Sequence, residues 1–269
     1  MAAKRKAARA LASADPPRGG APATSIPPRP SVPAPVAAAT GAAFAALSRL
    51  RGARIFHPRG VGFEATVTVE RPVLGYPGVP LLKRPGSHPA VVRLSRAAGL
   101  PAPLPDALGL TVRLIDLHGP GRHQDFLLVT SVDAPLLHHV LLPAPGGFLA
   151  QSYSSLLPYR IGGHTQLVGA EPIDGAERDD GGRPERLVAK ATARTLRFSL
   201  GLAPLGGKLH HVATLEVGDR LDADVTERLA FTPWNSGGGI EPVGPLQGLR
   251  RAAYAGSQRG RGLPPTAVP

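Results

Sequence analysis

From residue 63 the chain alternates. Phe63, Ala65, Val67 and Val69 are apolar, while Glu64, Thr66, Thr68 and Glu70 are polar. Period two is the mark of a strand with one buried and one wet face. Apolar runs bounded by Gly and Pro predict further strands at 91–95, 109–116, 125–132, 187–200 and 212–217. Helical spacing of Phe44, Leu47 and Leu50 predicts a helix over 37–52, and similar patterns predict helices over 221–229 and 250–257. The polar stretch 174–186 (DGAERDDGGRPER) reads as an exposed loop, and no internal repeat is visible. Several strands at short spacing with few helices imply an antiparallel barrel or sandwich, an α+β architecture with peripheral helices.

Composition narrows this. With 33 Gly and 31 Pro, close to a quarter of the 269 residues disfavour a helix. A bundle or coiled coil is excluded, and 42% hydrophobic residues exclude wholesale disorder. Residues 1–36 differ from the rest: Ala- and Pro-rich, basic, and short of large apolar groups. They are expected to form a disordered basic arm, with one domain over 37–269. The arm holds much of the formal +12 charge, and aromatics are only 4% of the chain. Both facts argue against a nucleic-acid surface on the domain. The absence of Cys removes disulfides, thiolate metal sites, Cys nucleophiles and iron–sulfur clusters. No apolar run is long enough for a membrane-spanning helix, and Pro16 and Pro17 interrupt any leader after the basic start, so a cytoplasmic chain is expected.

Nine His are present, but none has the spacing of a metal site on one helix, and no Walker loop or Gly-x-Ser-x-Gly elbow occurs. Four local patterns stand out in order. The first is Arg54-Ile55-Phe56-His57-Pro58-Arg59-Gly60, directly before the alternating strand. The second is Val91-Val92-Arg93-Leu94-Ser95, followed by Asp106-Ala107-Leu108-Gly109-Leu110. The third is Gly163-His164-Thr165. The fourth runs from Ala230-Phe231-Thr232-Pro233-Trp234-Asn235 through Gly239-Ile240 and Leu246-Gln247-Gly248 to Arg250, Tyr254 and Arg259-Gly260-Arg261-Gly262.

In this order the patterns resemble the haem catalase family. Its core reads Arg-Val-x-His-Ala-Lys-Gly, Val-Arg-Phe-Ser, Asp-x-Arg-Gly-Phe-Ala, Gly-x-His-Thr and Ala-Phe-Ser-Pro-x-Asn, and ends in Arg-x-x-x-Tyr and Arg-x-Arg-x-Gly. The resemblance covers roughly residues 50–262 and implies a short, catalase-related protein with a catalase-like antiparallel β-barrel core. It implies haem b as cofactor and decomposition of hydrogen peroxide or organic hydroperoxides, in a catalase-like or peroxidase-like manner. An organic reductant is a further expected partner, and a monomer or homodimer is the expected assembly.

The resemblance assigns roles residue by residue. Tyr254 matches the axial ligand of the haem iron, a role in which ferric iron and a neighbouring guanidinium favour the phenolate. Arg250 lies one helical turn earlier, so the two share a face of the expected helix. His57 matches the acid–base residue that moves a proton between peroxide oxygens. Ser95 matches the serine that orients it. Arg54, Arg93 and Arg261 match the arginines that hold propionates, for which a planar guanidinium fork is suited.

The pattern also departs from the family. Where catalases carry Asp-Leu-Val-Gly-Asn-Asn-Thr-Pro, this chain has Asp125-Phe126-Leu127-Leu128-Val129-Thr130-Ser131-Val132-Asp133-Ala134-Pro135. Counting from Asp125 puts Thr130 at the peroxide-positioning Asn; counting back from Pro135 puts Asp133 there. A Phe pair is replaced by Leu136-Leu137, the Phe of Val-Arg-Phe-Ser is Leu94, and Leu249 is an extra residue before Arg250. A lost donor in a dry pocket weakens transition-state binding. The alternative reading is therefore a catalase-fold module, haem-binding or haem-free, without peroxide turnover.

Overall fold

The computed structural model describes residues 59–96, 107–134, 137–141, 147–173 and 182–244. The basic arm, the expected helices over 37–52 and 250–257, most of the 174–186 loop, and Arg54, His57, Arg250, Tyr254 and Arg261 lie outside the described residues.

Eight strands close into an antiparallel barrel. They are β1 (Arg59–Val69), β2 (Gly86–Arg96), β3 (Leu108–Leu114), β4 (Gln124–Ala134), β6 (Ser152–Ser154), β8 (His164–Pro172), β9 (Leu196–Pro204) and β10 (His210–Arg220). The ring runs β1-β2-β3-β4-β6-β8-β9-β10, and β10 pairs back onto β1. Closure removes free strand edges from the ring. Three short strands are added outside it: β5 (Leu137–Leu141) on β4, β7 (Tyr159–Ile161) on β8, and β11 (Ile240–Pro242) on β7.

The alternation read in the sequence is the wall of this barrel. Phe63, Ala65, Val67 and Val69 are buried in the main core, and Glu64, Thr66 and Thr68 are not. In β2 and β3, Leu94 and Val92 face Leu110 and Val112 in register and fill the same interior. Leu196, Phe198, Leu200 and Leu202 supply it from β9.

Short helices plug both ends. At one end α1 (Pro80–Lys83) places Leu82, with Val79 before it, in the core. At the other, α2 (Pro184–Ala193) buries Leu187 completely, and the buried Arg96 donates to the Gly182 carbonyl at its entrance. The single strand expected over 187–200 is corrected here. Pro184 takes the first helical position, where its missing N–H is harmless. Leu187, Val188 and Ala191 then follow at helical spacing and pack on the core. Only from Leu196 does period two take over. The expected helix at 221–229 is α3 (Ala223–Arg228).

β7 and β8 form a hairpin with Ile161 paired to His164. The two residues between, Gly162 and Gly163, have φ of 55° and 89°. That is the left-handed pair a two-residue turn requires. The Gly163-His164-Thr165 pattern is thus the end of a turn and the start of β8, and His164 packs edge-on against Tyr76 at 5.7 Å.

Candidate functional site

The outer face of β1–β4 is the place where the sequence patterns meet. Directly paired residues of antiparallel strands share a face, and neighbours along a strand take opposite faces. Gly60 faces Ser95, Ser95 faces Gly109, and Gly109 faces Val129. Two residues along, Gly62, Arg93, Thr111 and Leu127 form the next row. The interior is lined by the alternate set, Leu94, Leu110 and Leu128. Arg93 and Ser95 therefore lie together on the outside of the barrel wall, yet only 2% and 1% exposed.

Gly60 is fitted to them. A Cβ there would fall 2.7 Å from both the Leu94 carbonyl oxygen and Ser95 Cβ, and 2.8 Å from Arg93 Cζ. Gly62 plays the same part for α3, since a Cβ at 62 would sit 2.6 Å from Thr226 Oγ1. Bare backbone thus lets side chains of a neighbouring strand and helix lie flat on β1. The Arg93 guanidinium also reaches the half-exposed Glu227 of α3 in a loose ion pair of 3.8 Å. A nearly buried guanidinium beside a serine, on glycine backbone, suits one carboxylate of a bound group. Of the residues that the sequence patterns assign to the cofactor, Arg93 lies among the described ones.

Thr130 does not join this face. It follows Val129, so it turns to the barrel interior, where its hydroxyl accepts from the Leu108 N–H at 3.1 Å. Counting from Asp125 thus sets Thr130 on the wall face opposite Ser95, because neighbours along a strand take opposite faces. On β4 the residues sharing the Ser95 side are Asp125, Leu127, Val129 and Ser131. Ser131 is buried and stands one rung nearer the barrel end where β1 begins. Alternation from Asp125 is the sequence signal that identifies it. Asp133, the other counted position, lies in β4 opposite His138 of β5.

The Phe-x-Pro-x-Asn stretch has a structural task. Asp125, fully buried, accepts a two-pronged bond from Arg113 at 2.7 and 2.6 Å. It also accepts from the Thr232 N–H at 2.9 Å and the Asn235 side-chain amide at 3.0 Å. Its own N–H donates to the Asn235 carbonyl at 2.8 Å. Arg113 donates onward to the Ala230 carbonyl at 2.6 Å and lies 4.9 Å from the Phe231 ring centre. Phe231 and Leu229 join Val91 and Ile115 in a second apolar cluster on this outer face. The segment 229–235 is thereby pinned to β3 and β4. Sequence reading missed this clasp because Ala230, Thr232 and Asn235 lie over one hundred positions from Arg113 and Asp125.

Beside this clasp the β3–β4 turn holds two histidines. His123 Nδ1 accepts from the Asp116 N–H at 3.0 Å, and His118 Nε2 meets Gln124 Oε1 at 3.1 Å. Burial pushes His118 and His123 below the ordinary imidazole value of 6.5; the Arg113 charge adds to this at His123, against Asp125 and Asp116. Burial lowers His88 as well. Such groups bind fewer protons folded than unfolded. Their stabilising contribution is present above pH 6.5 and is lost as pH falls below it. The thermal midpoint is expected to drop between pH 7.5 and 5.0, with a shallower drop in His123→Asn. Melts followed by circular dichroism check this, and a midpoint independent of pH in that range would contradict it.

One further grouping has triad-like order. Ser199 Oγ lies 2.7 Å from His211 Nδ1, and His211 Nε2 lies 3.6 Å from Glu70. The Thr214 hydroxyl, ahead of His211, holds the Glu70 carboxyl below its ordinary range. β9 is paired on both sides of Ser199, to Glu171 and to Thr214, so its backbone is committed to the ladder. His211 and Glu70 are half-exposed, and the group is a surface hydrogen-bond chain. No set of three His, Asp or Glu suited to a metal ion occurs among the described residues. No helix among them is long and apolar enough to cross a membrane.

No family model matches the chain, and no curated protein matches it in sequence. Solved structures do. It is similar to a bacterial catalase with a TM-score of 0.58 and 15% identity, over 91% of this chain and 64% of that one. It is similar to a fungal catalase with a TM-score of 0.59 and 11% identity, over 80% of this chain and 61% of that one. At these identities the likeness is one of fold. The chain spans less than two thirds of the length of either catalase.

Proposed function

We propose that this chain is a haem-dependent enzyme that decomposes hydrogen peroxide or organic hydroperoxides. One observation carries the reading. On a catalase-like barrel, the outer face at the start of β1 gathers a buried guanidinium, a buried serine and a bare glycine, and His57 lies three positions before that glycine.

Bound iron porphyrin supplies the redox chemistry of O–O cleavage. The protein's own part is positioning and proton transfer. Arg93, with Arg54 and Arg261, holds propionates, and its burial strengthens each charge-assisted bond. Tyr254 would hold the iron through its phenolate, and the Arg250 guanidinium would keep that phenol ionised. The Ser95 hydroxyl orients the imidazole of His57. His57 would take the proton from one peroxide oxygen and return it to the other. Thr130 takes the peroxide-positioning part by its count from Asp125, and Ser131, buried on the Ser95 side of β4, is the alternative.

A second reading is favoured by Val129. It is the β4 residue level with Ser95, and it offers a bound peroxide no hydrogen bond. On that reading the chain holds haem, or none, without turning over peroxide.

The absorption spectrum of the purified full chain, beside that of Tyr254→Phe, tests the proposal. Ferric haem bands are expected in the parent, and their loss or displacement in the variant. Identical spectra would remove Tyr254 as ligand. A parent without haem bands after reconstitution would leave only the haem-free module.

A further inference from the structure

The barrel interior holds a feature that the proposed reaction does not use. Between the inner wall and the plug helix α1 lies a cavity of about 40 Å³. Its lining is aliphatic and aromatic carbon, from strands around the ring and from Leu81 and Leu82 of α1. It is on the opposite side of the barrel wall from Arg93 and Ser95. The space exceeds what one water needs, but water also needs two to four polar partners, and an apolar cavity stays dry and takes up apolar molecules instead.

The plug over it is short. α1 is a single turn without a side-chain N-cap. The strap leading to it turns at Gly75 and Gly78, with φ of 89° and 73°, where a Cβ would meet nothing within 4 Å. Leu74, in the same strap, is 87% exposed. Leu81 is only partly buried although it lines the cavity. An eight-stranded barrel is just wide enough to be filled by side chains or to hold one small ligand. Here the filling stops short at one mouth.

We propose that the α1 end of the barrel binds one compact apolar molecule, enclosed by Val69, Leu81, Leu114, Val168, Leu202 and Ala213. The inference does not rest on haem or on peroxide chemistry. Xenon is the probe, because its attraction to the site is dispersion alone.

Methyl-resolved NMR of the full chain under rising xenon pressure tests it. Saturable shifts are expected at the methyls of Val69, Leu81, Val168 and Leu202. The methyls of Val91 and Leu229, in the outer-face cluster, should stay still. Ala213→Val fills the volume and should abolish the saturable response. The proposal is overturned if no saturable shift appears. It is also overturned if the shifts centre on the exposed Leu74 and Leu205, or if folded Ala213→Val responds as the parent does. Should that variant not fold, the parent methyl map alone decides between these outcomes.

Discussion

Asp125→Ala is expected to destabilise the protein by about 3–5 kcal/mol, the range for stranding one member of a buried ion pair. The Arg113 side chain is only 9% exposed, so water replaces little of what its carboxylate gave. The Thr232 N–H and the Asn235 amide lose their acceptor at the same time. For a domain of this size the thermal midpoint should fall by about 10 °C. Denaturant unfolding measures the free energy directly. The double change Arg113→Met with Asp125→Leu should be less harmful than Asp125→Ala alone, since it leaves no buried charge unmatched. A single-variant loss below about 1 kcal/mol, the range of an exposed pair, would show that the clasp is solvated.

His57→Ala is the second large effect, on turnover rather than on stability. A positioned general acid–base group contributes about 10²- to 10⁴-fold. Loss of the imidazole should lower the second-order rate with peroxide by that factor, about 3–5 kcal/mol in activation free energy. The haem spectrum should persist, because the ligand and the propionate contacts are separate groups. His57→Gln keeps a polar side chain but carries no titratable ring nitrogen, and it should be as slow as His57→Ala. Stopped-flow spectroscopy reads both quantities in one experiment. Full-rate reaction in either variant would reject the proton-shuttle role.

Much of the barrel was legible because its walls obey period two. Phe63 to Val69 announces β1 without ambiguity, and β2, β3, β4 and β10 follow from shorter runs. β8 was not seen: Leu167, Val168, Gly169 and Ala170 are all buried, so no wet face breaks the run. The helix–strand boundary at 193–196 was hidden because Leu187, Val188, Leu196 and Phe198 read as one apolar stretch. Arg93 and Ser95 were legible as a pair, two positions apart in an apolar strand. The count from Asp125 gives Thr130, which stands on the opposite face of β4 from the Ser95 row, and in a strand one residue is the difference between inside and outside. The Asp125 clasp was invisible for another reason. An acid at a strand start ordinarily meets solvent, and only the fold brings 230–235 across it.

The seam between β1 and β10 bears on how the chain is made. Thr66 pairs with Glu216, so among the described strands the first to leave the ribosome waits for a partner 150 positions later. Through that interval one flank of β1 offers open amides and carbonyls to any passing polypeptide. Pairings this distant in sequence form slowly, which lengthens the exposure. The yield of native protein in a cell is therefore expected to depend on chaperones that shield the nascent β1–β4 meander until its closing strand arrives.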